Sequence, residues 1–496
     1  MTKEKNKIIL VIILILISLI TLVGSSYALL TKSFKSKKLS MEVGTLKIDF
    51  AEGNAINMAN AAPMTDSNGL KSTPYTFTIT NGGDINAYYT VSNEEELANT
   101  LDTSYLRMKL TGSDGYDSGI KTVKELGTET YKLIDDTLLE TGKSVTYELR
   151  MWISQDAGND IQDKIYKSKI VVNGTSNKLP LATDKILAKA NPENLDYNSA
   201  TDAQKKEMWT FTHDATEQTT ALTDYRYIGA DPNNYVKFND ELWRIIGVFD
   251  TDDGTGKVEK RLKIIRNESI GNYTWNYNAS GKYINEWSIA QLNNLLNSGA
   301  YYNRTTGTYY NYNGNSTTAS NEDFTTTGLT EKARAMIGNA KWYLGGTANY
   351  TSSSNGLASH FYKYERGTGV YSERSTSWTG KVGLIYPSDY GYATSGGATT
   401  NRASCLAKEL YNWKDSSVSD CSNNDWMYNS SNSQWTITPP PRDDANGVFF
   451  VTSTGNVDYY YAYSILSVRP VVHLNSAIKV ITGSGTKESP YILSGN

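Results

Sequence analysis

Pro74-Tyr75-Thr76-Phe77-Thr78-Ile79-Thr80 alternates aromatic or aliphatic residues with threonine, the period-two pattern of a strand that buries one face. Asn81-Gly82-Gly83-Asp84 follows as a turn, and Ala87-Tyr88-Tyr89-Thr90-Val91 opens the next strand. Residues 39–50, 105–110, 145–153 and 166–172 are further strand candidates. Several short strands separated by turns predict a β-sandwich over residues 39–175 rather than a Rossmann-like layer.

Downstream the composition changes. Residues 176–224 are polar and read as a linker with a short helix over 203–208. A second unit, residues 225–496, begins at Tyr225. Val236-Lys237-Phe238-Asn239-Asp240-Glu241-Leu242-Trp243-Arg244-Ile245-Ile246-Gly247-Val248-Phe249 reads as two strands joined by an Asn-Asp turn, and Arg261-Leu262-Lys263-Ile264-Ile265 is the next strand. The loop between them, Thr251-Asp252-Asp253-Gly254-Thr255-Gly256, lacks the spaced acidic ligands and terminal glutamate of an EF-hand and reads as a hairpin loop. Ser288 precedes Ile289, Leu292, Leu295 and Leu296, a capped helix with one apolar face, and residues 329–343 form a second helix capped by Thr330 and stopped by Gly345-Gly346. The expected fold is mainly β with a few short helices: a β-sandwich, then an α+β domain.

The first seven residues carry Lys3, Lys5 and Lys7, and an apolar run extends from Ile8 to Val23. That run reaches the lower end of bilayer-spanning length. Ser26-Tyr27-Ala28 closes it with small residues where a signal peptidase would cut, so residues 1–28 read as a signal peptide, or as a membrane anchor if cleavage fails. Either way the expected location is the bacterial cell surface or the medium. In that setting the two cysteines, Cys405 and Cys421, are expected to form a disulfide.

Among 496 residues the net charge is −4, which gives no electrostatic footprint for nucleic acid. The three histidines, His213, His360 and His473, form no HExxH segment, and no metal or cofactor signature and no catalytic constellation is legible. His473 alternates with Val472 and Leu474 and reads as a hydrogen-bonded structural residue. Tyrosine is abundant, 36 residues against 10 phenylalanines, and such side chains cover apolar surface while exposing a hydroxyl.

Two resemblances add to this reading. Gly24-Ser25-Ser26-Tyr27-Ala28, Leu46-Lys47-Ile48-Asp49-Phe50, Phe77-Thr78-Ile79-Thr80-Asn81 and Ala87-Tyr88-Tyr89-Thr90-Val91 resemble the export signal and jelly-roll domain of the TasA/camelysin family of Gram-positive surface proteins. The ordered set from Trp378 through Tyr386-Pro387-Ser388-Asp389-Tyr390, Gln434-Trp435-Thr436 and Gly447-Val448-Phe449 to Val468-Arg469-Pro470-Val471 resembles an uncharacterised surface domain of gut Firmicutes. Its ending is more distantly similar to the C-type-lectin-like fold of formylglycine-generating enzymes.

The resemblance to the wider lectin-like group implies exposed binding residues just before the final strands. Here these are Tyr459, Tyr460, Tyr461 and Tyr463 in an aromatic loop, with Tyr309, Tyr310 and Tyr312 as further contacts if their insertion lies nearby. Trp435 and Arg469 are expected to be structural, Arg469 either pairing with Asp443 or Asp444 or capping local carbonyls. The expected function is noncatalytic binding of a glycan or protein at the cell surface. The alternative is a fibre subunit that self-assembles through exposed edges of the first domain.

Overall fold

The computed structural model describes residues 46–494 except 53–61, 96–98, 128–129, 159–160, 162, 177, 278–283, 313–315, 348, 373 and 441–444. Segment 1–28, Asp443 and Asp444 therefore lie outside the described residues. Strands hold 38% of the residues and helices 17%, so the fold is mainly β. No helix among the described residues is long and apolar enough to cross a membrane. The chain divides into two compact units, residues 1–178 and 179–496.

The first unit contains two antiparallel sheets. One has the order Ile48–Glu52, Tyr75–Asn81, Ser144–Ile153, Leu106–Gly112, Lys121–Thr122, and the other Thr130–Leu139, Ala87–Glu95, Ser168–Thr175. The alternation at Tyr75–Asn81 does what its pattern requires. Phe77 and Ile79 are fully buried, while Thr78 and Thr80 pair across the strand with Thr146 and Ser144, hydroxyl to hydroxyl at 2.8 Å. Phe77, Ile79 and Leu149 of one sheet share a core with Val91, Ile134 and Val172 of the other. The Tyr89 and Tyr147 hydroxyls meet at 2.5 Å between the sheets, satisfying two polar groups that burial would otherwise strand. The strand Thr130–Leu139 was not anticipated from the sequence.

The second unit is built on a nine-stranded sheet. Its path runs Val382–Gly383, Val471–His473, Val258–Arg266, Glu241–Asp252, Tyr235–Phe238, Tyr491–Leu493, Val480–Thr482, and Leu222–Tyr227 also pairs with Glu241–Asp252. The Asn-Asp turn is as read: Asn239 and Asp240 both have left-handed backbones, φ 56° and 60°, the geometry of a tight hairpin. A bulge falls between Ile245 and Gly247. Gly247 stands opposite Arg226, and a Cβ there would lie 2.1 Å from the Tyr225 carbonyl oxygen, so only glycine permits the approach.

Three sequence expectations are corrected. The stretch read as a linker contributes Ala182, Ile186 and Met208 to the core, and its strand Met208–His213 pairs with Leu222–Tyr227. The polar residues of that strand are Thr210, Thr212 and the buried His213, which composition alone cannot distinguish from a loop; the helix there is only Asp202–Lys205, capped by Thr201. Ser288 does not cap the helix Gln291–Asn297, because its hydroxyl is held by Glu286 at 2.6 Å. Thr330 does cap Glu331–Met336, but the chain then turns into the strand Ala340–Tyr343 instead of continuing as helix.

Cys405 and Cys421 form a disulfide, and both are fully buried. They join the short helices Arg402–Leu406 and Ser419–Asn423 across a separation of 16 residues. Trp413, between them, is fully buried with its ring 5.4 Å from Tyr390. Closing a loop of that size stabilises by about 3 kcal/mol through the unfolded chain. The double variant Cys405→Ser, Cys421→Ser is therefore expected to unfold at lower denaturant concentration, with a loss of about 3 kcal/mol and a native-like circular dichroism spectrum in dilute buffer.

Candidate functional site

Asp458 to Tyr461 do not form a loop. Val457–Tyr461 is the edge strand of a second, five-stranded sheet in the second unit, ordered Asn272–Thr274, Ile465–Ser467, Gln434–Trp435, Gly447–Val451, Val457–Tyr461. The strand forms because Gly447–Val451 offers it a full antiparallel ladder, from Val451↔Val457 to Gly447↔Tyr461. Tyr459, Tyr460 and Tyr461 are 38%, 54% and 43% exposed, and an edge strand can display large side chains that a central strand would bury.

The rings are not independent. Tyr461 stacks on Tyr463 with centroids 5.1 Å apart and planes 12° apart, and Tyr460 leans on Tyr461 at 5.3 Å. Tyr463 meets Tyr312 edge-to-face at 4.9 Å, and Tyr312 stacks on Tyr277 at 4.7 Å. Tyr312 ends the strand Thr306–Tyr312, whose hairpin with Thr317–Asp323 is thereby the insertion that the sequence left unplaced. On the other side Tyr459 packs on Phe449 and on Tyr350, whose hydroxyl donates to Asp458 Oδ1 at 2.6 Å. A run of aromatic rings is thus fixed ring to ring before any ligand arrives, which lowers the entropic cost of using it.

Tyr309 is a correction: it is 2% exposed, its hydroxyl donates to the Thr274 carbonyl at 2.6 Å, and it is no contact residue. Tyr310 is half-buried, its backbone clamped by both ends of the Gln291 amide. Tyr277 and Tyr350 were missed, since nothing in Trp275-Asn276-Tyr277 or Asn349-Tyr350 distinguishes them from other tyrosines. At the far end of the Thr306–Tyr312 strand lies a cleft of about 330 Å³. Its lining is uncharged, with Gln291, Asn294, Ser298, Asn303, Thr306 and Thr308 supplying amides and hydroxyls.

Trp435 and Arg469 make structural hydrogen bonds to backbone carbonyls. Trp435 Nε1 donates to the Tyr273 carbonyl at 2.9 Å, and Arg469 Nε donates to the Arg266 carbonyl at 2.9 Å, the carbonyl-capping role. His473 is buried, its Nδ1 3.1 Å from Thr251 Oγ1.

A second assembly of reactive groups is closed to solvent. Arg226 donates to Asp224 at 2.8 Å and to Asp389 at 2.9 Å, and Lys263 donates to the other oxygen of Asp389. His213 lies 3.1 Å from Asp224 and stacks on Tyr362 at 3.7 Å, and the Arg366 guanidinium covers the same ring. Glu365 accepts from the Ser388 backbone at 3.0 Å and from its hydroxyl at 2.5 Å, with Arg366 3.4 Å away. All these charged side chains are buried. No group of acidic, histidine or cysteine residues that could hold a metal ion occurs among the described residues.

No family model and no curated protein matches the chain. A solved structure described as AvmM, which catalyzes macrocyclization in alchivemycin A biosynthesis, aligns over 27% of this chain and 89% of its own at 10% identity. Its TM-score is 0.16, too low to imply a shared fold.

Burial pushes the Glu365 carboxyl up to about 7 against the pull of Arg366 and Ser388. Because its unfolded value is near 4.5, the stability it contributes is complete below that pH and is lost as pH rises through about 7. Asp425, raised by burial, acts with the same sign, whereas burial lowers His213 and His473, which act oppositely. The difference between wild type and Glu365→Gln isolates the one group. Between pH 4.5 and 7.5 the wild type is expected to lose up to roughly 3 kcal/mol relative to the variant, measured by denaturant unfolding at each pH.

Proposed function

We propose that the protein is a noncatalytic surface-binding protein in which a lectin-like module, residues 225–496, is carried on a jelly-roll-like β-sandwich and presents Tyr459, Tyr460, Tyr461, Tyr463 and Tyr312 to a glycan or protein partner. The observation that carries this reading is the fixed run of partly exposed rings from Tyr312 to Tyr460. Rigid tyrosines give large contact area at low entropic cost, and they hydrogen-bond at the rim. The one carboxylate on the strand, Asp458, is engaged by Tyr350. The expected setting is the bacterial cell surface, reached through the N-terminal segment.

The test is binding of the purified chain to immobilised cell-wall polysaccharides, host glycans and host surface proteins. Changing Tyr459, Tyr460, Tyr461 and Tyr463 to alanine is expected to weaken binding at least about tenfold, since buried aromatic contacts are worth about 2 kcal/mol each. The melting profile should remain cooperative. Equal binding by the folded variant would remove the tyrosine surface from the function.

A further inference from the structure

Lys263 and Asp389 are a pair in the buried charge cluster that can leave it without stranding a partner, since Arg226 keeps Asp224. Lys263 lies on the strand Val258–Arg266 and Asp389 on the helix Pro387–Tyr392, and their side chains are 2% and 1% exposed. An ammonium has three donors, yet Lys263 Nζ hydrogen-bonds only to Asp389 Oδ2 among the described residues. Three rings also lie around it, Tyr386 at 4.5 Å, Phe249 at 5.4 Å and Trp342 at 5.6 Å from Nζ to centroid. The carboxylate is held far more firmly. Arg226 Nη1 donates to Oδ1 at 2.9 Å and the Tyr386 backbone N–H donates to Oδ2 at 3.0 Å.

An amine nitrogen is thus kept in contact with a carboxyl group in a site walled by rings, and a guanidinium is aimed at the second carboxyl oxygen. Those are the elements of acyl transfer: a nucleophile in place, a donor for the oxygen that gains charge, and exclusion of bulk water. We propose that in the folded protein Lys263 and Asp389 are joined by an intramolecular isopeptide bond.

In this step a proton passes from the ammonium to the carboxylate that touches it, and the neutral Nζ attacks Cγ. The Nζ–Cγ bond forms while charge on Oδ1 is stabilised by Arg226. The Cγ–Oδ2 bond then breaks, and Oδ2 leaves as water with the two protons that the nitrogen has lost. Ammonium and carboxylate become a secondary amide and one water, with no oxidant, cofactor or net proton change.

The surrounding charges stay paired in the product. Three acids, Asp224, Glu365 and Asp389, face three bases, Arg226, Lys263 and Arg366. Condensation removes one of each and leaves Asp224 with Arg226 at 2.8 Å and Glu365 with Arg366 at 3.4 Å. A buried ion pair, costly to desolvate, is replaced by a neutral amide. The bond ties together two elements whose linked residues are 126 positions apart.

The experiment is peptide mapping of the purified full chain after reduction, denaturation and proteolysis. Lys263 and Asp389 are expected in one branched peptide whose mass is the sum of its two arms less one water, with the linear forms of both arms depleted. The intact reduced mass should likewise fall one water short, and Lys263→Arg, which keeps the charge, should restore it. Recovery of both residues in unmodified linear peptides from folded wild-type protein overturns the proposal, as does a missing water mapped to any other residue. The wild-type map decides the matter even if the variant does not fold.

Discussion

Asp389 accepts hydrogen bonds from Arg226 and Lys263 where almost no solvent reaches, and three segments distant in sequence meet at that carboxylate. Arg226 comes from the strand Leu222–Tyr227, Lys263 from Val258–Arg266, and Asp389 from a six-residue helix too short to persist alone. Burying ions is expensive, and each is tolerated because its partners are in place: until Lys263 and Asp389 condense, Lys263 and Arg226 hold the Asp389 carboxyl below the usual carboxylate range against the opposing effect of burial. Removing one member would strand the others. The glycine at 247 belongs to the same constraint, since it lets the strand carrying Arg226 approach the central strand.

That constraint reaches the proposed binding surface through the helix that bears Asp389. Tyr390, its next residue, donates its hydroxyl to the Gly455 carbonyl at 2.7 Å, and Gly455 is in the turn that launches the tyrosine strand. Gly455 has φ +92°, and a Cβ there would meet the Ser422 side chain at 2.6 Å, so the disulfide-bonded helix presses on the same turn. The exposed rings are therefore carried by a strand whose entry is fixed by a buried charge cluster on one side and a cross-linked helix on the other. A surface built in this way loses little entropy on binding.

Much of the fold was legible because local patterns agreed with tertiary demands. The alternation at Phe77 and Ile79, the Asn239-Asp240 turn and the cysteine pair each carry their reason in a few residues. The linker failed because Met208–His213 has one strongly apolar end and then threonine, phenylalanine and a histidine whose burial depends on a partner strand and on Tyr362. Of the candidate contacts, Tyr460, Tyr461, Tyr463 and Tyr312 come together ring to ring and Tyr459 packs on Phe449 and Tyr350, whereas Tyr309 turns inward toward a carbonyl on a different segment. The charge cluster was invisible for the same reason: Asp224, Lys263, Glu365 and Asp389 sit in unremarkable local sequence, and only the topology brings them into register.

Native-state amide hydrogen exchange on the wild-type chain tests the central role of this cluster most directly. If the cluster binds its segments into one cooperative unit, amides in the helix Pro387–Tyr392 and in the strands Leu222–Tyr227 and Val258–Arg266 should open only with global unfolding. They should then share one opening free energy that responds to denaturant with the full unfolding slope. Rapid exchange of the Pro387–Tyr392 amides through a local, denaturant-independent opening, with both strands still protected, would contradict it.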